Sequence, residues 1–173
     1  ENKAGASGIM GAMALQEAKP DGYVVSQMHM SVLRQPLLNK ALTYNPITDL
    51  TYILQITGFV MGIVVRTEAP WKTLPELIAY AKANPGKISF GSSGVGAAAH
   101  LTSELLKQVA GIQMEHVPYK GTAPALADLV SGNIQMLVDA PIGVMAHVRS
   151  GKIRGLAVTA NKRHSFWPDI PTM

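Results

Sequence analysis

Apolar and polar positions along this chain change rhythm at about residue 70. Before that point the elements are loosely marked. Ile9–Ala18, with Met10, Ala12, Met13, Ala14 and Leu15, has helix-favouring composition and predicts a first helix with Ser7 as its N-cap. Pro20-Asp21-Gly22 predicts a turn, and the alternation over Tyr23–Met28, with Val24 and Val25, predicts a strand. Ser31–Asp49, broken by Pro36 and Pro46, reads as a short helix and a loop. Thr51–Arg66 is rich in Ile, Val, Thr and Phe. Its Gly58 and Gly62 argue for bends, hence two consecutive strands or one long crossing strand, closed by Pro70-Trp71.

From Lys72 onward strand and helix patterns alternate. Thr73-Leu74-Pro75-Glu76 is a helix start of the capping-box kind; Leu74, Leu77, Ile78 and Ala81 share one face, and Asn84-Pro85-Gly86 ends the helix. Ile88–Phe90 predicts a strand, followed by a Gly- and Ser-built loop and a helix. That helix is read from Leu101, Leu105 and Val109, which recur every fourth residue on one face, with Gly111 past its end. Met114–Val117 predicts a strand, Pro118–Gly121 a turn, and Ala123–Val130 a helix capped by Thr122. Ile134–Val138 predicts a strand ending in Asp139, Pro141–Arg149 a short helix, Ile153–Thr159 a last strand, and Arg163–Met173 an extended Pro-rich tail. This alternation predicts βα units on a largely parallel sheet. Ligands in such sheets bind beyond the carboxyl ends of strands, so the loops at Ser92, Tyr119 and Asp139 are expected on one rim.

Composition narrows this picture only at its edges. The 173 residues are 47% hydrophobic and 15% charged, which suits a folded α/β chain. No apolar run approaches the roughly 20 residues that cross a bilayer. The absence of Cys excludes disulfides, thiolate metal sites and cysteine catalysis. The net charge of +4 comes from scattered basic residues without a stripe, which argues against nucleic acid and gives weak attraction for small acids. The chain starts at Glu1 without an initiator Met and stops just past Pro171-Thr172. Both ends read as cut, so a leader ahead of Glu1 is compatible with the sequence.

The chemistry centres on Gly91-Ser92-Ser93-Gly94-Val95-Gly96, a loop that delivers backbone N–H groups to a helix N-terminus, where an anion is the natural occupant. Two enzyme readings compete with a plain anion loop. Gly94–Ala99 matches a dinucleotide fingerprint, but the ribose-binding acid expected at the end of the next strand is missing, and Glu115 comes at that strand's start. Gly91–Val95 nearly spells a nucleophile elbow around Ser93, but Val95 occupies the last Gly position, and His164, which could serve as the late histidine, lies in the extended tail. For Ser92 and Ser93 the preferred reading is hydrogen bonding and capping. His100 and Glu104 have a metal-compatible i,i+4 spacing but no further ligand in pattern, so no metal or cofactor is expected. Lys120 is a counter-ion for a carboxylate or a solvated turn residue. Asp139, ending an apolar strand, needs a partner: a ligand donor or the helix that follows.

Phe90–Gly96 with His100-Leu101, and His116-Val117-Pro118-Tyr119-Lys120-Gly121, resemble the receptor family of tripartite tricarboxylate transporters, the Bug-type extracytoplasmic solute-binding proteins. The resemblance continues through Asp128-Leu129, Gly132, Gly151–Thr159, Arg163 and Pro168–Thr172, and at the start through Glu1–Gly8 and Pro20–Tyr23. It implies a two-lobed, type II periplasmic-binding-protein fold, α/β throughout, with part of the first lobe in 1–58 and the crossing strand and a largely complete second lobe in 59–173. It further implies a periplasmic protein that captures a small carboxylate for membrane transporter subunits and is not an enzyme. The ligand contacts would come from Ser92, Ser93, Gly94, Gly96, Tyr119, Lys120 and Asp139, with Ala6 and Ser7 from the first lobe. The sequence departs from the family's pattern at three positions. Ala97 stands where a Ser is frequent, Gln135 where an Asp is frequent, and Ser7 where a Gly is frequent.

Overall fold

The sheet is assembled around an apolar strand, β1 (Gly62–Arg66), whose Ile63, Val64 and Val65 are all fully buried. A strand buried on both faces has no polar side, which is why it reads as a continuous apolar run. The computed structural model describes residues 9–28, 30–42, 44–55 and 60–173. Among these, α1 (Met10–Glu17) and α2 (Met30–Leu38) precede β1. The elements after it are α3 (Leu74–Ala83), β2 (Ser89–Ser92), α4 (Ala98–Ala110), β3 (Glu115–Pro118), α5 (Thr122–Ser131), β4 (Met136–Asp139), α6 (Pro141–Arg149) and β5 (Ile153–Val158).

The sheet order is β3-β2-β4-β1-β5. β2 is parallel to β3 and to β4, while β1 is antiparallel to both β4 and β5. The expected largely parallel sheet is therefore present, with β1 as the reversed strand that crosses between β4 and β5. Alternation along the strands sorts side chains into two cores. Ile63, Val65, Met136 and Val138 meet Phe90 and the helices α3 and α4 on one face. Val64, Leu137 and Val158 meet Leu126 and Leu129 of α5 and Val144 of α6 on the other. A third, separate cluster of Ile9, Ala12, Val32 and Tyr44 belongs to the segment before β1.

Local chemistry fixes the ends of the elements. Thr73 Oγ1 accepts from the Glu76 N–H at 3.4 Å, and the Glu76 carboxylate accepts from the Lys72 N–H at 2.8 Å, so α3 carries its own N-terminal cap. The tail lies along β5: the Val158 N–H donates to the Pro171 carbonyl, and Trp167 is buried against β1 where a Cβ on Gly62 would collide with its ring.

Three readings of the sequence are corrected here. Tyr23–Met28 forms no strand; Tyr23 is 91% exposed, and no described strand pairs with this alternating segment. In α4 the face marked by Leu101, Leu105 and Val109 points outward, Val109 being 78% exposed. The inward face is Ala98, Ala99, Ser103 and Leu106, because close approach of the helix to the sheet selects small residues. Thr122 is not a cap but the first residue of α5, with Gly121 before it at φ 115°. Gly58 and Ser7, read as a bend and a cap, lie outside the described residues; Ile9 precedes α1.

Candidate ligand-binding rim

Three parallel strands, β2, β3 and β4, end on one edge of the sheet, and α4, α5 and α6 begin there. None of these three helices has a side-chain cap, in contrast to α3. Helix first turns carry N–H groups without internal acceptors and a partial positive charge. Between them lies a cavity of about 170 Å³ lined by Met61, Ser93, Ala98, Ala99, Thr122, Asp139 and Ala140. Asp139 holds this floor in place. One of its oxygens accepts from Thr122 Oγ1 at 2.6 Å and the other from the Ala140 N–H at 2.7 Å, tying the starts of α5 and α6 together.

The Gly/Ser loop divides into an internal half and a rim half. Ser92 is fully buried, and its Oγ lies 2.7 Å from His116 Nε2, donates to the Gly94 carbonyl and accepts the Gly94 N–H. The Gly96 N–H donates to His100 Nδ1 at 3.1 Å. Gly96 has φ +74°, a left-handed backbone that any side chain would strain, and a Cβ there would also displace the side-chain ends of Gln35 and Leu38 of α2. Gln35 Nε2 also donates to the Val95 carbonyl. Ser93, half-buried, is the loop side chain that lines the cavity.

Of the residues singled out in the sequence, the structure brings Ser93 and Asp139 to the same cavity, with Ser92, Gly94 and Gly96 forming the loop behind it. Tyr119 turns away from the cavity: its ring packs in the α5–α6 core and its hydroxyl donates to Asp128 at 2.7 Å. Burial, followed by that aspartate, pushes the Tyr119 phenol up to about 12, and the Tyr119 hydroxyl holds Asp128 below the usual carboxylate range. Lys120 is exposed and is not among the lining residues. Ala6 and Ser7 lie outside the described residues. Gln135 sits just before β4, at the opposite end of that strand from Asp139. It accepts from the Ser89 N–H and Oγ, so its difference from the family pattern falls on strand anchoring, not on the rim. Ala97 is the residue just before α4, buried, with a methyl where a hydroxyl is frequent.

A His in a first helix turn more often packs or braces a loop than binds a metal, and His100 braces the Gly96 N–H; what the sequence does not mark is its stacking with His116. His116 pairs in register with nothing polar on β2 (its partner is Phe90), yet its ring stacks on Phe90 at 4.9 Å and on His100 at 4.0 Å. The only hint in the sequence is that one His opens a helix and another follows in the adjacent strand. Burial, reinforced by the neighbouring His100, lowers His116 to about 4. A histidine whose pKa is depressed in the fold is neutral there while the unfolded chain already takes up protons. The stability it costs therefore appears as pH falls below about 6.5 and grows until about pH 4. Denaturation midpoints measured from pH 7.5 to pH 4 should fall across that window, and His116→Phe should flatten the fall. This pair does not build an elbow: His116 bonds the buried Ser92, not Ser93. Among the described residues no group of three or more His, Cys, Asp or Glu could hold a metal, and no helix is long and apolar enough to cross a membrane.

A sheet with one reversed strand and helices on both faces is the fold of periplasmic solute-binding proteins of the two-lobed type II class. The model of the tripartite tricarboxylate transporter family receptor matches residues 1–173, and the chain belongs to that family. The UPF0065 protein in the gbd 5' region of Cupriavidus necator is 40% identical over 173 residues, all of this chain and 52% of that protein. The periplasmic binding protein BugD superposes with TM-score 0.90 at 38% identity, over 100% of this chain and 58% of its own. MatC from Rhodopseudomonas palustris with bound malate superposes with TM-score 0.87 at 28% identity, and an R. palustris protein with adipate at 0.84 and 29%. These cover 99% and 100% of this chain, and 59% and 58% of theirs. The chain spans about half the length of the curated relatives it matches.

Proposed function

We propose that the protein is an extracytoplasmic receptor that captures a small dicarboxylate and delivers it to membrane transporter subunits, without catalysing a reaction. The observation that carries this reading is the set of three helix starts without side-chain caps around a cavity that also holds a Ser hydroxyl. A carboxylate seated there satisfies first-turn N–H groups and meets the positive ends of the dipoles. Family membership and the malate and adipate bound by two structural neighbours support the ligand class. In this reading residues 59–173 are the second lobe with the crossing strand, and 1–58 are part of the first. The separate core of Ile9, Ala12, Val32 and Tyr44 supports that division. Closure of the two lobes would then exclude water from the bound acid. Ser93 faces the carboxylate, and Ser92, Gly94 and Gly96 set the shape of its loop.

Calorimetric titration of the full-length protein with malate, succinate and adipate tests the reading. Saturable binding to at least one of them is expected, with Ser93→Ala weakening it about tenfold, the worth of one hydrogen bond to a charged group at the low end. Absence of binding to all three would overturn the ligand class, and turnover of any of them would overturn the receptor role.

A further inference from the structure

The loop behind the cavity is held from within by imidazoles, and this goes beyond the proposed capture role while resting on it. His100 stands in the first turn of α4, and its Nδ1 accepts the Gly96 N–H from the loop just before that helix. An accepting Nδ1 fixes the neutral tautomer: the proton sits on Nε2, which faces Glu104 Oε1 at 3.8 Å. The ring lies 4.0 Å from that of His116, whose Nε2 meets the buried Ser92 Oγ, and Ser92 in turn accepts the Gly94 N–H. Both backbone donors, at Gly94 and Gly96, are thus bound inside the protein and withheld from the cavity, leaving Ser93 facing it.

We propose that His100 is the positioning residue of the ligand loop: its bare Nδ1 clamps the Gly96 N–H, so the loop keeps its ligand-receiving shape only while His100 is uncharged. A proton on Nδ1 turns the acceptor into a donor and sets two N–H groups against each other. His116 behaves differently, since its Nε2–H can keep donating to Ser92 after Nδ1 is protonated. The groups facing the pair are few. On α4 they are Glu104, which favours the charged form, and Lys107, which opposes it and sits 5.8 Å from the Phe90 ring centroid while pairing with Glu104 at 2.9 Å. From β3 comes His116, and β2 contributes the uncharged Phe90 and Ser92. Burial lowers His100 and so favours the clamping form.

Two substitutions separate clamping from packing. His100→Asn places an amide oxygen near the position of Nδ1 and cannot titrate in this range, whereas His100→Phe keeps a ring for the stack and has no acceptor. In the full-length protein, His100→Phe is expected to weaken malate binding about tenfold at pH 7.5 and to speed hydrogen exchange of the Gly96 amide. His100→Asn should retain both near wild type. Gly96 protection, corrected for intrinsic exchange, should fall in wild type as the pH is lowered from 7.5 to 4 and stay level in His100→Asn. The proposal is overturned if His100→Phe leaves Gly96 exchange and binding unchanged, or if His100→Asn loses as much as His100→Phe. It is also overturned if Gly96 protection in His100→Asn keeps the wild-type pH dependence. Should His100→Phe fail to fold, the pH comparison of wild type with His100→Asn still decides. Should wild type bind none of malate, succinate and adipate, the dicarboxylate reading fails while Gly96 exchange still reports on the clamp.

Discussion

Phe90→Ala is expected to lower the unfolding free energy by about 3–5 kcal/mol, the range for truncating a fully buried aromatic. Phe90 is completely buried in β2, a strand paired on both sides, between α3 and α4 and the sheet. Its loss leaves a void that this rigid sheet cannot close by local collapse, and it removes the surface on which His116 stacks. Chemical denaturation at pH 7.5 reads the loss directly. A change below about 1 kcal/mol would show that β2 is not the packed centre described here. Because the same ring supports His116, the variant should also loosen the loop from Ser92 to Gly96, and Phe90→Leu should recover part of both effects.

Asp139→Ala is expected to alter selectivity more than stability. Asp139 lines the cavity with both oxygens already anchored, one to Thr122 and one to the Ala140 N–H. A ligand carrying only carboxylates would meet this acid unfavourably, whereas a hydroxyl or amine on the ligand can donate to the carboxylate. Malate, with its hydroxyl, should therefore bind the wild type better than succinate does. Asp139→Ala should erase that preference by about 10- to 100-fold, the range of a hydrogen bond to a charged group. Parallel titrations with the two acids measure the ratio. An unchanged malate-to-succinate ratio in the variant would remove Asp139 from ligand discrimination.

How far the sequence speaks for the structure depends on whether the signal is local. The cap at Thr73 and Glu76, the Gly111 stop of α4 at φ 63° and the start of α6 at Pro141 are set by neighbouring residues, and they stand where the chain chemistry puts them. The gathering of the loops after β2, β3 and β4 on one rim follows from strand–helix alternation alone. What failed depended on distant partners. Tyr23–Met28 alternates like a strand, but alternation becomes a strand only when another one pairs with it. The every-fourth-residue stripe of Leu101, Leu105 and Val109 misled because burial of α4 is governed by how closely small residues let it approach, not by where its large ones fall. The candidate site divides in the same way. Ser93 and Asp139 were marked by their position after strands, whereas the turn of Tyr119 toward Asp128 and the stacking of His100 on His116 arise from packing between elements.

Receipt of a small dicarboxylate at the rim of uncapped helix starts is the proposed role. Mass spectrometry of small molecules released on denaturing freshly purified full-length protein tests it without choosing the ligand beforehand. A stoichiometric organic acid with two carboxylates is expected, with occupancy reduced in Ser93→Ala and lost in Gly96→Val. A stoichiometric neutral or cationic molecule in its place would contradict it.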